Sequence, residues 1–283
     1  MNLVLDRMPD LRPLSLKALG TFRRKPRAEV ELPRMSVSTQ GVRFDAENLR
    51  AYREICGFAE SGPVPIPYPQ VQAISLQMHL LTRPQFPLPL VGLVHLSNTI
   101  VQERALQPDE AFAVQVGLIA DRKSDKGLEF DLQTTWTDAA GKIVWTAIAT
   151  VLHRRKQPPR KKGPPPVADS RLADYKSIEA PADIGRRYGR IAGDMNPIHL
   201  YPFTAKLLGF ERHIAHGMWS LARCCALLQD DLGRPPRELT VQFRQPLFLP
   251  ARATLRHGHD DAGVAFSLIG RDSGKTHLTG SLR

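Results

Sequence analysis

The 283-residue chain has three cysteines, Cys56, Cys224 and Cys225. Two are adjacent, so no disulfide framework is available, and reduced thiols in a cytoplasm are the simplest reading. No apolar run approaches the roughly 20 residues that a membrane helix needs. The opening MNLVLDRMPDLRPL places acids and prolines where a secretory signal would carry a basic and then an apolar segment. No G-x-S-x-G occurs, which removes the serine-hydrolase elbow. Aromatic residues are only 7% and are not interleaved with the basic ones, so a nucleic-acid surface is not expected either.

What is present is apolar content of 42%, enough for a sizeable core, and a formal charge of +11. Much of that charge is local, in RRKPR at 23–27 and HRRKQPPRKKGPPP at 153–166. The second run mixes like charges with prolines and reads as an extended, solvated linker. An anionic small-molecule partner suits the remaining excess. The linker sets the expected organisation: an extension over 1–35, an N-terminal domain over 36–155, the basic linker over 156–168 and a C-terminal domain over 169–283.

The two halves repeat each other. Segments 91–102, 111–121, 127–138 and 142–153 are rich in β-branched and aromatic residues and are separated by turn residues. Segments 237–248, 251–260, 262–272 and 275–283 repeat the pattern, and such spacing predicts antiparallel strands. Before each set lies a helical stretch that is apolar around most of its circumference, 69–81 and 217–233, predicted to be buried. A third helix is predicted over 181–192, ended by Gly193. One buried helix followed by four strands, twice over, suggests a sheet wrapped around a helix in each half.

The residues YGRIAGDMNPIHLYPFTAKLLGF (188–210) and HGMW (216–219) resemble the signature of MaoC-like hydratases, the R-specific enoyl-CoA hydratases also called hydratase 2. Tyr188, Gly193, Asp194, Asn196, Pro197, His199, His216 and Gly217 match its pattern. The segments PYPQVQAISLQMHLL and FPLPLVGLVHLSN resemble the degenerate N-terminal domain of two-domain members. The resemblance implies an α+β double hotdog fold, with two antiparallel sheets each wrapped around a central helix. It covers most of residues 40–283, whereas residues 1–35 match no known pattern.

The implied reaction is reversible hydration of trans-2-enoyl-CoA to (3R)-hydroxyacyl-CoA. It requires a base for water, a proton for C2 and a donor for the thioester oxygen. Asp194 and His199 are the expected acid/base pair, brought onto one water by the turn that Pro197 fixes. Asn196 is expected to orient substrate or water. The Gly217 N–H, unpaired at a helix start, is the expected oxyanion donor, with His216 and Tyr188 in support. No prosthetic group is implied, since the thioester itself acidifies the α-proton. The expected partner is an acyl-CoA or acyl-carrier-protein thioester, with no nucleic acid and no membrane, and the sequence leaves room for a homodimer.

Simpler readings compete at several positions. An Asp or Asn before Pro is common turn chemistry. His216 alone reads as a hydrogen-bonding residue at a helix start, and His95 as a structural residue in a strand. Cys224 and Cys225 read as buried and inert. His213 and His216 have helical spacing, but no carboxylate or cysteine at ligand spacing accompanies them, so no metal is expected. Thioesterases share the hotdog fold, but the acids of the second buried helix, Asp230 and Asp231, lie at its far end, which disfavours hydrolysis. An acyl-carrier-protein dehydratase and a non-catalytic acyl-CoA-binding protein are the alternatives. The first half lacks the Asp-x-Asn-Pro-x-His turn, so one active site per chain is expected.

Overall fold

Alternating burial along the strands and all-round burial along two helices place a curved sheet against a helical layer. The structure is a computed structural model describing residues 1–26, 30–155, 172–260 and 262–283, Asp260 by its backbone alone. The chain opens with β1 (Asn2–Leu5) and α1 (Leu11–Gly20). The first half then runs β2 (Met35–Arg43), α2 (Ala46–Cys56), α3 (Tyr68–Gln72), α4 (Ile74–Leu81), β3 (Leu93–Gln102), β4 (Ala111–Ser124), β5 (Gly127–Thr137) and β6 (Ile143–Arg154). The second half runs β7 (Asp174–Ala180), α5 (Ile184–Ala192), a 3-10 turn at Pro197–His199, α6 (Pro202–Leu207) and α7 (Gly217–Leu228). It closes with β8 (Glu238–Phe243), β9 (Ala251–Asp260), β10 (Gly263–Gly270) and β11 (Thr276–Leu282).

The expected repeat is visible in the strand order β1-β2-β4-β5-β6-β3-β8-β11-β10-β9-β7. Within each half the strands lie first, third, fourth, fifth, second, and the halves meet through their second strands, β3 and β8. The expectation of two separate sheets is therefore corrected. Ser97 to Val101 pair with Gln242 to Glu238, fusing the halves into one 11-stranded sheet. Pairing these strands removes two open edges that would otherwise present unmatched N–H and C=O groups. The sheet is also not wholly antiparallel, because β1 runs parallel to β2 at the rim.

The first predicted buried helix appears as α3 and α4 with Ala73 between them, and Tyr68, Val71, Leu76 and Leu80 are buried. The second stops at Leu228, short of the expected 233. There Lys176 donates to the Leu227 carbonyl and pairs with Asp231, so the end of the helix is tied to β7. The strand expected over 237–248 ends at Phe243, before Pro246, which cannot donate to a ladder. Inward residues such as Val114, Trp136, Ala147, Val241, Leu255 and Phe266 form one core with both helices.

Residues 1–26 are integrated rather than loose. β1 extends the sheet, and the Arg24 guanidinium donates to the carbonyls of Leu81, Thr82, Arg83 and Leu88, satisfying the end of α4. The basic linker expected over 156–168 lies outside the described residues. Among the described residues, no helix is long and apolar enough to cross a membrane.

Candidate active site

The motif residues come together at the junction of α5, the 3-10 turn and the start of α7. Helix α5 ends where Gly193 adopts a left-handed conformation (φ 74°), a region that a residue with a Cβ enters at a cost. The chain leaves as a turn in which the Asn196 N–H donates to Asp194 Oδ1 (3.2 Å) and the Ile198 N–H to Asn196 Oδ1 (3.3 Å). Asn196 is thus a turn cap through its oxygen, leaving its amide nitrogen free to reach a ligand. The turn lies against α5 at two glycines. A Cβ on Gly185 would sit 2.1 Å from the His199 carbonyl oxygen, and one on Gly189 would sit 2.8 Å from that of Asp194. Sequence reasoning missed this pair. The available signal was two glycines four residues apart inside a helix, each costing about 1 kcal/mol against alanine.

His199 Nδ1 faces the Ile214 carbonyl at 2.8 Å, and His216 Nε2 faces the Asp194 carbonyl at 3.0 Å. A carbonyl only accepts, so both of these nitrogens carry hydrogen, and in the neutral rings His199 Nε2 and His216 Nδ1 hold lone pairs. The two rings stack at 3.7 Å, and Tyr188 closes on His216 at 5.1 Å. Asp194 Oδ2 lies 3.7 Å from His216 Nε2, and the Asp194 side chain keeps 38% exposure while His216 keeps 4%. The carboxylate is therefore the open member of the cluster and the imidazoles form its buried wall.

One ligand-type atom from each of Asp194, His199 and His216 lies within 4.8 Å of the others. The absence of a carboxylate at ligand spacing from His216 is a statement about sequence alone. The fold supplies Asp194 from 22 positions away. The hydrogen-bond roles nevertheless favour proton chemistry over ligation, because His216 turns a donating nitrogen toward Asp194. His213 is separate, with Nε2 2.7 Å from the Ala182 carbonyl.

Burial pushes Asp194 up, but His216, His199 and the Asn196 N–H outweigh it, and the carboxyl sits below its ordinary value. Burial lowers His199 against the pull of Asp194. It lowers His216 to about 3, with His199 adding to the effect. At neutral pH the cluster is one carboxylate beside two neutral rings. The linkage sign follows directly. These histidines take up protons more readily unfolded (ordinary value ~6.5) than folded, so the stability they contribute is complete above about pH 6.5 and is lost as pH falls toward the folded values. The depressed Asp194 acts in the same direction. Melting temperatures measured between about pH 8 and pH 4 should fall on the acid side, and a flat profile would contradict these protonation states.

Gly217, the expected oxyanion donor, is the first residue of α7. His216 precedes the helix without capping it through its side chain, and a Cβ on Gly217 would lie 2.8 Å from the Phe243 ring. The backbone there is bare and its early N–H groups are unmatched within the helix. Among the described residues the first half carries no equivalent cluster at the corresponding place. Arg53 instead binds the carbonyls of Ala59, Ser61, Gly62 and Pro63 in the segment after α2. That half and the N-terminal segment still border the motif, since Asn48 donates to the Ile191 carbonyl near the end of α5 and Leu11 of α1 lies against Gly193. Cys224 and Cys225 are buried in the core, where burial raises both thiols, as the inert reading expects. Two clefts of about 550 and 460 Å³ lie elsewhere, and neither is lined by Asp194, His199 or Gly217.

Comparison with known proteins adds the following. A family model described as a MaoC like domain matches residues 154–279. The chain is 33% identical to 3-hydroxyacyl-thioester dehydratase X of Mycobacterium tuberculosis, over 96% of this chain and 97% of that protein. The crystal structure of HtdX from that organism has a TM-score of 0.76 at 31% identity, covering 88% of this chain and 99% of the other. Enoyl-CoA hydratase ChsH3 of the same organism is 26% identical over 64% of this chain and 65% of its own length. A further M. tuberculosis structure with a double hotdog fold has a TM-score of 0.55 at 11% identity, covering 86% of this chain and 92% of that one, a likeness of fold alone.

Proposed function

The chain belongs to the MaoC-like dehydratase family and is a hydro-lyase, and from that premise we propose that it interconverts trans-2-enoyl-CoA and (3R)-hydroxyacyl-CoA through a water held by Asp194 and His199. The observation that carries this reading is the gathering of Asp194, His199 and His216, one ligand-type atom of each within 4.8 Å of the others, beside a helix start with no side-chain cap. A water donating to Asp194 and His199 has its oxygen free to attack C3. As that bond forms the pair takes one proton, and it returns one to C2, so that H and OH are added across the double bond. The Gly217 N–H meets the charge that develops on the thioester oxygen. His216, donating to the Asp194 carbonyl and stacked on His199, holds the two groups in register.

Coenzyme A is the proposed carrier. The named substrate of ChsH3 and the excess of basic residues support it. The intact Asp194–Asn196–His199 set speaks against a purely binding role. The deciding assay follows loss of enoyl absorbance with crotonyl-CoA and a long-chain enoyl-CoA, with crotonyl-acyl-carrier protein run in parallel. Faster turnover of the carrier-protein substrate would move the assignment to an acyl-carrier-protein dehydratase.

Stereochemistry gives a sharper check. In the hydratase 2 reading one Asp194/His199 pair delivers water to one face of C3, and the hydrated product should be the 3R alcohol. Chiral chromatography of the hydrolysed product reads this directly, and a mainly 3S product would reject the assignment.

A further inference from the structure

Residues 11–26 contain Arg12, Lys17, Arg23, Arg24 and Lys25 and no Asp or Glu. They lie outside the residues that the family model matches, and the proposed mechanism draws no group from them. Helix α1 occupies most of this stretch, and Thr21–Arg23 continue it as a 3-10 turn. One side is built into the molecule. Leu14, Ala18 and Thr21 are buried, and Thr21 Oγ1 accepts the Leu90 N–H at 2.9 Å. The Arg24 guanidinium is occupied by four carbonyls at and beyond the end of α4. The helix is therefore fixed in place before it meets anything else.

The other side is apolar and faces water. Leu16 is 72% exposed, Leu19 47% and Phe22 65%. Leu16 and Leu19 stand about one turn apart and Phe22 follows three residues on, the spacing of neighbours on a helix surface. Arg12, Lys17, Arg23 and Lys25 are exposed among them, and the Arg23 guanidinium lies 5.6 Å from the Phe22 ring centroid. The nearest preceding acid, Asp10, accepts the Arg12 N–H as the helix cap. On the adjoining α4, Lys17 and Arg83 both act on His79, so the positive field continues across the helix pair. The stripe stands clear of the rest of the molecule at Gly20, where an added Cβ would meet nothing within 4 Å.

We propose that α1 and its 3-10 extension form a peripheral membrane contact that seats the protein on an anionic lipid bilayer. Leu16, Leu19 and Phe22 enter between the headgroups, and the four exposed cations meet lipid phosphates. Charge of one sign around projecting Leu and Phe side chains is the pattern of interfacial helices. A fluid bilayer takes up such a patch without a shaped counterpart, whereas a protein partner must supply a matching groove. Because α1 is already docked on α4, binding carries little ordering cost. The contact is peripheral, since no helix among the described residues is long and apolar enough to cross a membrane. It departs from the expectation of no membrane partner, which rested on the lack of a spanning run. Leu11, at the start of this ten-residue helix, lies against Gly193, so the bilayer would sit within about 15 Å of the catalytic turn along the helix.

Flotation of the full chain with phosphatidylcholine vesicles, with and without phosphatidylglycerol, tests this. The protein should float with the anionic vesicles and far less with the neutral ones, and rising salt should release it. Each cation near an anionic surface contributes about fivefold, so combining Arg12→Gln, Lys17→Gln and Arg23→Gln should lower the partition about a hundredfold. Combining Leu16→Gln, Leu19→Gln and Phe22→Gln should lower it at least as much, since each buried CH₂ contributes about fourfold. Both variants should keep native melting temperature and native turnover of crotonyl-CoA, because these side chains are exposed and outside the site. Trp136, Trp145 and Trp219 are buried, so brominated lipid in anionic vesicles should quench the added indole of Phe22→Trp. Failure of the native protein to float, an apolar variant that floats as well as the native protein, or an unquenched indole overturns the proposal. Loss of self-association in the apolar variant with no vesicle binding by the native protein also overturns it and makes the stripe an interface between copies of this chain.

Discussion

Asp194→Asn should cut turnover of an enoyl-CoA by about a hundred- to ten-thousand-fold, the usual contribution of a positioned acid/base group, while acyl-CoA affinity stays within a few-fold. The geometry makes the substitution clean. The amide oxygen of Asn still accepts the Asn196 N–H that shapes the turn, and the hydrogen bond from His216 to residue 194 is to the backbone carbonyl, its approach to the side-chain oxygen being longer at 3.7 Å. What disappears is the charge and the ability to take a proton. His199→Ala should give a loss of the same order by removing the Nε2 lone pair. It also leaves the Ile214 carbonyl without its imidazole donor and His216 without its stacking partner, so some loss of melting temperature accompanies it. The double variant should be little worse than the poorer single, because both groups act on one water and residues that act as a unit are not additive. Near-native turnover by a folded Asp194→Asn would remove the assignment of the motif. If the losses simply multiplied, the idea of one shared water would fail.

Much of the fold could be read from local sequence, and the exceptions have physical causes. Strands β3 to β6 and β9 to β11 were legible because β-branched and aromatic residues alternate between clear turn signals. Strand β7 was not. It ends the sheet order, only Ile178 and Ala180 along it are buried, and DYKSIEA therefore lacks an apolar stripe. Strand β2 carries three serine and threonine residues, and Thr39 among them is buried, so polar letters occupy core positions. Helix α2 escaped notice although its ends are well signalled, with Asp45 accepting from the Asn48 N–H and Gly57 in a left-handed cap.

The site divides along the same line. Asp194, Asn196, His199, His216 and Gly217 lie within a short span, so their chemistry showed in the order of letters. The buried placement of His95, the approach of Phe243 to Gly217 and the contacts of Asn48 and Leu11 at the end of α5 depend on long-range packing, and no local pattern announces them. His95 is the clearest case. Period-two counting places it on the outer face, and a single extra residue, paired across a strand some fifty positions away, reverses that. Faces of strands follow from periodicity only while the register is unbroken.

The structure sets two opposing tendencies against each other at Gly185, and their magnitudes decide the second large effect. Gly185 is the second residue of α5 and should welcome alanine as the better helix former, a gain of at most about 1 kcal/mol. Its Cβ, however, would stand 2.1 Å from the His199 carbonyl oxygen, a backbone atom that no rotamer change can move. Forcing the turn away costs about 1 to 3 kcal/mol as overpacking, so Gly185→Ala should lower the melting temperature despite the better helix former. Activity should suffer more than stability. The displaced segment carries His199, and a shift near 1 Å in a reacting group can cost about a hundredfold in rate. Gly20 supplies the control, being helical at φ −59° with nothing within 4 Å of its Cβ position. Gly20→Ala should therefore hold or slightly raise the melting temperature and leave turnover unchanged. Equal melting temperatures and equal rates for the two variants would show that contact between α5 and the turn at Pro197–His199 does not fix the position of His199.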